Sequence, residues 1–349
     1  MRTLEWDSTR GQLRMIDQRI LPARFEICTY SDYRDVAEAI RAMVVRGAPA
    51  IGAAAAFGMA LAARQSAAAS SSAFLEDLRQ AAGVLGASRP TAVNLSWALK
   101  RMMAFTAGLP GGLSAADLHE QVLEEAQRIA DEDVATNLQM AKYGAELIAD
   151  GDTVIHHCNT GALATVDWGT ALGVIHMAHS QGKRVHVLVD ETRPRLQGAR
   201  LTAWELQQYG ISYEIISDNM AGFFLRRGDV QKVFFGADRV AANGDVANKV
   251  GSYMLALAAH DNGVPVYSVF PISTVDLSLS SGDEIPIEER DPGEVLNIEL
   301  NGEPVMPAGS RARNPSFDVT PQRLLSGLVT ERGVVYPPFH RNLPSIAKK

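Results

Sequence analysis

Cysteine is scarce in this chain: 349 residues hold only Cys28 and Cys158. Two thiols build no disulfide framework, and the composition suits a reducing cytosol, so a cytoplasmic protein is expected. Basic charge is not in excess. Forty acidic residues against 33 lysines and arginines leave a formal charge of -7. That balance argues against a nucleic-acid-binding surface, which needs a basic surplus, but leaves room for a local pocket that takes a small anion. Long hydrophobic runs are missing too. The most apolar stretch, Ala48 to Ala63, is broken by Pro49, Gly52 and Gly58 and falls short of a spanning helix. Met1-Arg2-Thr3-Leu4-Glu5-Trp6-Asp7 has no apolar signal core. No membrane partner is expected. No G-x-G-x-x-G follows a predicted strand, which removes the dinucleotide fingerprint. Neither H-E-x-x-H nor C-x-x-C occurs, and the adjacent His156 and His157 point to opposite faces of a strand, so a metal site is not expected.

The chain is too long for one typical core, which predicts two domains. Residues 1 to about 30 alternate in short apolar pieces, such as Leu13–Asp17 and Phe25–Tyr30, and predict a small antiparallel sheet. Ser31 reads as the N-cap of a helix through Val45, stopped at Arg46-Gly47-Ala48-Pro49, where an alanine-rich helix begins. Ser66 to Ser72 reads as a mobile low-complexity linker. Helical patterns follow around Phe74–Leu85 and Ala92–Ala107, and Ser114-Ala115-Ala116-Asp117 opens a long helix expected to reach as far as Asp150. From Gly151 the pattern changes. Thr153–His157, Arg184–Val189, Ser212–Ile216, Lys232–Gly236 and Pro265–Val269 read as strands, with helical stretches between several of them. Such units imply a parallel sheet with right-handed crossovers. The expected fold is α/β: a mostly helical N-terminal domain with a small antiparallel sheet over residues 1–125, then a Rossmann-like parallel α/β catalytic domain over residues 126–349. The tail from His340 reads as disordered.

Three strand ends carry the chemistry. After Thr153-Val154-Ile155 the chain reads His156-His157-Cys158-Asn159-Thr160-Gly161, a small polar loop leading to a helix around Ala171–Ala178. Ligands of open α/β sheets bind at such ends, and a thiol near helix N-terminal amides tends towards the thiolate. A buried structural cysteine is the bland alternative. The second end, Asp190-Glu191-Thr192-Arg193-Pro194-Arg195-Leu196-Gln197-Gly198, is dense in charge, which fits a solvated turn or a site; Gln197 stands at a helix start. The third follows Val233-Phe234-Phe235. Asp238 there is suited to general acid–base work if desolvated, or else serves as an N-cap or an ion-pair partner of Arg239. Asn248-Lys249 reads as a helix opening, where lysine opposes the macrodipole unless an anion binds beside it. The alternative is a lysine pointing to solvent. Arg46, with Gly47 and Ala48, and Arg89 stand at other helix starts. Together these cations predict a phosphorylated small molecule bound between the domains.

The same segments carry a family resemblance. Arg46-Gly47-Ala48-Pro49-Ala50-Ile51-Gly52, Cys158-Asn159-Thr160-Gly161, Glu191-Thr192-Arg193-Pro194 with Gln197-Gly198, Gly236-Ala237-Asp238-Arg239 and Asn248-Lys249-Val250-Gly251 resemble the methylthioribose-1-phosphate isomerase family. That family shares a superfamily with regulatory subunits of the translation factor eIF2B. The likeness runs from about Tyr30 to Tyr336 and includes Ile285–Arg290 and Asn314–Pro321. It implies an aldose–ketose isomerisation of a sugar phosphate in methionine salvage, with Cys158 and Asp238 catalytic. The implied substrate contacts are Arg46, Gly47, Ala48, Arg89, Gln197, Asn248 and Lys249. It further implies no metal or nucleotide cofactor and a homodimer. A related sugar-phosphate isomerase and a non-catalytic eIF2B-like subunit are the competing readings.

Overall fold

The computed structural model describes residues 1–68, 70–90 and 92–348. The chain divides into two compact units: Met1–Leu138 with Gly161–Gly169, and Gln139–Thr160 with the chain from Thr170 onward.

In the first unit, β1 (Leu4–Asp7), β2 (Gln12–Ile16) and β3 (Ile27–Tyr30) form an antiparallel sheet with β2 central. Helices α1 (Tyr33–Arg41), α2 (Ala48–Gln65), α3 (Ser71–Gly86) and α4 (Val93–Ala107) follow, then α5 (Ala115–Ala145), whose residues from Gln139 on belong to the second unit. Helix α2 is buried continuously from Ala50 to Ala63. A helix apolar all round belongs in the middle of a core, and its alanines let neighbouring backbones come close. Phe57, Met59, Ile40 and Leu95 belong to the same core. Helix α1 is shorter than the sequence pattern implies. Asp32, not Ser31, caps it by accepting the Arg34 amide, and it stops at Arg41 because Met43 takes a left-handed φ of 59°. Where a linker is expected, Ser70 caps α3 and Ser66 donates to Asp77; Ala69, within that stretch, lies outside the described residues, as does Thr91. Ser114 and Asp117 form the expected reciprocal cap, each side chain bonding the other's amide. Helix α5 ends at Ala145 rather than Asp150, with the Ala145 and Ile148 carbonyls both accepting from Lys183. Residue 125 therefore lies inside a continuous helix.

The second unit runs through β4 (Thr153–His156), α6 (Ala171–Ser180), β5 (His186–Asp190), α7 (Ala203–Tyr209), β6 (Ser212–Ile216), α8 (Ala221–Arg227) and β7 (Lys232–Phe235). After these come β8 (Arg239–Ala241), β9 (Val246–Lys249), α9 (Ser252–Asp261), β10 (Val266–Val269), β11 (Val275–Asp276) and α10 (Gly293–Leu296). The chain ends through β12 (Glu299–Leu300), β13 (Glu303–Pro304), β14 (Phe317–Thr320), β15 (Gly327–Thr330), β16 (Gly333–Val335) and α11 (Phe339–Ala347). Among the described residues, seven strands pair in the order β16-β15-β10-β7-β4-β5-β6, all parallel except the edge strand β16. The fold is thus α/β, with one Rossmann-like unit and one mostly helical unit that carries a small antiparallel sheet.

The sequence pattern leaves out two features of this unit. A second sheet, β11-β8-β9-β14, sits past the end of β7; its strands are too short for a clear alternation. The tail also forms a helix rather than disorder, because Phe339 and Leu343 share one face and are both 0% exposed; Lys349 lies outside the described residues. Truncating such a side chain removes its transfer free energy and leaves a cavity. Leu343→Ala should lower unfolding free energy by about 2–4 kcal/mol in a denaturant titration, whereas the exposed Lys348→Ala should change it by less than about 0.5 kcal/mol. A disordered tail would leave both variants at wild-type stability.

Candidate active site

The strand order places the site. From the central β4, the chain adds β5 and β6 on one side, then returns to add β7, β10 and β15 on the other. The direction of winding reverses between β4 and β7, and at such a switch point the loops leaving the two carboxyl ends diverge and open a crevice. Cys158 follows β4 and Asp238 follows β7. The two residues singled out for catalysis thus leave the two strands that flank the switch.

Cys158 is buried, at 8% exposure, in a left-handed backbone conformation with φ 69°. That conformation is costly for a residue with a Cβ, and two hydroxyls hold it. The Cys158 amide donates to Thr192 Oγ1 at 2.9 Å, and Thr202 Oγ1 donates to the Cys158 carbonyl at 2.7 Å. Asn159 Nδ2 donates to Thr202 Oγ1 and to the buried Glu205. The helix expected after this loop forms, as α6. A short 3-10 turn, Ala162–Ala164, intervenes, and α6 opens only at Ala171.

The charged loop after β5 is ordered by its own partners. Asp218 accepts the Thr192 and Arg193 amides, and Arg195 pairs with Glu294, which also holds Arg290. Gln197 is buried, and its Oε1 has no hydrogen-bond partner among the described residues, an acceptor that a ligand hydroxyl can satisfy.

Asn248 and Lys249 do not open a helix. They end strand β9, and α9 begins at Ser252. The macrodipole argument therefore does not apply to Lys249. Its ammonium donates to the Ser316 carbonyl at 2.7 Å and lies 4.7 Å from the Phe317 ring centroid. Asn248 is buried and donates to Ser252 Oγ. Asp238 is half-buried between β7 and β8, and its amide donates to the Ala247 carbonyl, which ties it to β9. Cys158, Gln197, Asp238, Asn248 and Lys249 all belong to the second unit.

Arg46, Gly47, Ala48 and Arg89 belong to the first. Arg46 Nε donates to Gln18 Oε1 at 3.1 Å, and Gln18 Nε2 donates to the Leu163 carbonyl. Gly47 precedes α2 with φ 94°, and a Cβ there would fall 2.3 Å from the Ala164 carbonyl oxygen. Ala48 is the first residue of α2, with Pro49 next. The segment that Gly47 packs on is also tied to Asp133, which accepts the Val166 amide, and to Thr3, which donates to Ala162 O. Arg89 is half-buried in the turn before α4.

One grouping has the residue types of a metal site. His157, Asp190 and Asp218 bring one ligand atom each within 4.8 Å of one another. His157 Nδ1 lies 2.8 Å from Asp190 Oδ2, and both Asp218 oxygens accept backbone amides. Those contacts are those of a hydrogen-bonded cluster. Thr192, Thr202 and Asp218 carry no sequence signal as site residues, since their partners are 25 to 44 positions away and no local pattern announces such bonds.

Residues 44–337 match the family model described as the Initiation factor 2 subunit family. The chain belongs to that family. It is 51% identical over 346 residues to the methylthioribose-1-phosphate isomerase of Desulforamulus reducens, covering 99% of both chains. It is 52% identical over 338 residues to the protein of the same name from Synechococcus sp., covering 97% of this chain and 96% of that one. Among solved structures, the 5-methylthioribose 1-phosphate isomerase from Pyrococcus horikoshii OT3 superposes with a TM-score of 0.93 at 46% identity, over 99% and 96% of the two chains. The translation initiation factor eIF-2B subunit delta from A. fulgidus gives 0.90 at 41% identity over 100% of both. No helix of the described residues is long and apolar enough to cross a membrane.

Gly47 offers the sharpest test of how the start of α2 packs. Gly47→Ala should cost about 1–3 kcal/mol in stability, since both its φ and the Ala164 carbonyl oppose a methyl group. Unchanged stability in a denaturant titration would contradict the packing argument.

Proposed function

We propose that this protein is an aldose–ketose isomerase that converts 5-methylthioribose 1-phosphate to 5-methylthioribulose 1-phosphate, a step of methionine salvage. The observation that carries the reading is the pairing of Cys158 and Asp238 at the loops that flank the sheet's switch point, in a chain about half identical to isomerases of that name over its full length. Gln197, Asn248 and Lys249 hold the sugar phosphate, and Arg46, Gly47, Ala48 and Arg89 are the first unit's contribution to binding it. The substrate's phosphate sits on the anomeric carbon, so the ring does not open as a free hemiacetal would. Asp238 protonates the ring oxygen as its bond to C1 breaks. One hydrogen leaves C2 and one joins C1, the C2 hydroxyl proton returns to Asp238, and the C2 ketone forms. Substrate and product are isomers, so the acid ends as it began. Cys158 is the second group at C1–C2, either as an acid–base or by polarising the reacting carbons. A buried thiol suits a step whose intermediate water would destroy.

The reading includes a cytoplasmic homodimer. Support for self-association comes from the exposed Phe223 on α8 and the exposed Met254 and Leu257 on α9, side chains that a second copy could cover. A non-catalytic regulator remains the alternative from another class, motivated by the likeness to the eIF-2B delta subunit. Kinetics of variants separates the two. Cys158→Ala and Asp238→Asn should each lower kcat by roughly 10²–10⁴-fold with melting temperatures near wild type. Near-wild-type turnover in either variant would remove that residue from the mechanism.

A further inference from the structure

Beside Cys158, the His157 ring joins three strand ends. Its Nδ1 lies 2.8 Å from Asp190 Oδ2 at the end of β5, and its Nε2 lies 3.0 Å from the Val250 carbonyl just past β9. Next to Val250, Gly251 has φ 107°, and a Cβ there would approach the ring to 2.7 Å. The turn that carries Asn248 and Lys249 is thus packed directly on the imidazole. From its other side Asp318 of β14 accepts the Gly251 and Tyr253 amides.

The partners fix the proton count. A carbonyl oxygen only accepts, so Nε2 carries a hydrogen. Nδ1 faces a carboxylate oxygen, so either Nδ1 or Asp190 carries another. With neither, a ring lone pair and a carboxylate oxygen would stand 2.8 Å apart and repel. We propose that His157 is a positioning residue, whose ring, through one proton shared with Asp190, locks the Cys158 loop to the turn that holds Asn248 and Lys249. The proposal rests on the site residues assigned under Proposed function and adds one that touches no substrate.

The surroundings agree. Burial pushes His157 down, but the Asp190 hydrogen bond and charge, with Asp218 and the Val250 carbonyl, outweigh it and leave the ring raised above its ordinary value. Burial lifts Asp190 to about 6 against the opposing pull of His157, with Asp218 and Glu191 adding to the rise. The remaining charged or titratable neighbours are Asp318 and His156; burial holds His156 neutral, down to about 3, and Lys249 faces Asp318. Both members of the pair therefore favour the bound proton. The lock is fully present below the ordinary histidine value and is lost as pH rises through the raised value of His157.

The experiment combines 15N NMR of histidine-labelled full-length protein with pH profiles of turnover. Wild type should show a His157 ring with a hydrogen on Nε2 and a proton at Nδ1 or shared with Asp190 at pH 6, and kcat should fall on the alkaline side as that proton leaves, with KM changing less. His157→Ala should lower kcat about 10²-fold, the scale of a small misplacement of reacting groups. Asp190→Asn supplies an amide N–H to Nδ1 without titrating. It should therefore lose the step in kcat that coincides with the wild-type His157 15N titration, whatever alkaline loss Asp238 or Cys158 adds, and keep kcat at pH 7 at least tenfold above that of His157→Ala. A step at that midpoint that persists unchanged in Asp190→Asn, or wild-type kcat in His157→Ala, would overturn the proposal. Should His157→Ala not fold, Asp190→Asn and the NMR titration still decide. If no sugar phosphate is turned over, the functional reading fails instead, and a neutral ring lacking the Nδ1 proton at pH 6 would still overturn the lock.

Discussion

Two threonine hydroxyls hold Cys158 where the chain alone would not leave it. A left-handed φ costs a cysteine on the order of 1–2 kcal/mol, and the bonds to Thr192 and Thr202 offset that cost from opposite sides. Each threonine is itself fixed by the fold. Thr192 leaves β5 and is ordered by Asp218, and Thr202 sits in the π-helical turn Gly198–Thr202 ahead of α7. The thiol's position therefore follows from β5, β6 and α7 being in register with β4. The parallel pairing of Ile155 with Leu188 and of Leu188 with Glu214 sets that register.

The second sheet does for Asp238 what the threonines do for Cys158. The Asp238 amide bonds to Ala247 of β9, β9 pairs antiparallel with β14, and β14 supplies Asp318 to the turn behind Lys249. Asp238, Lys249 and the buried Asn248 are thus mounted on one small, cross-braced platform. A rigid mount is what proton transfer between positioned groups requires.

The long periodic segments of this fold are legible in the chain itself. Strands β4, β5, β6, β7 and β10 follow from short β-branched runs, and α2 from its alanines, because each pattern is local. Strand ends and helix starts single out the candidate site residues, and the resemblance to known sequences adds the family and the roles it implies. What escaped local reading depends on contacts far away in sequence. Asn248-Lys249 looks like a helix opening until β14, nearly 70 residues later, pairs with it and makes it a strand end. The tail looks disordered until Phe339 and Leu343 find the core. Thr202 resembles any helical threonine until Cys158 arrives beside it.

We propose that the loops leaving β4 and β7 together carry out one isomerisation of a sugar 1-phosphate. Incubating the wild-type protein with 5-methylthioribose 1-phosphate and following the sugar by proton and 13C NMR is the most direct measurement. The anomeric proton signal should disappear while a C1 methylene pair and a C2 ketone carbon appear, with the phosphate ester intact. An unchanged spectrum from folded protein would rule out this isomerisation and favour a regulatory role for this fold.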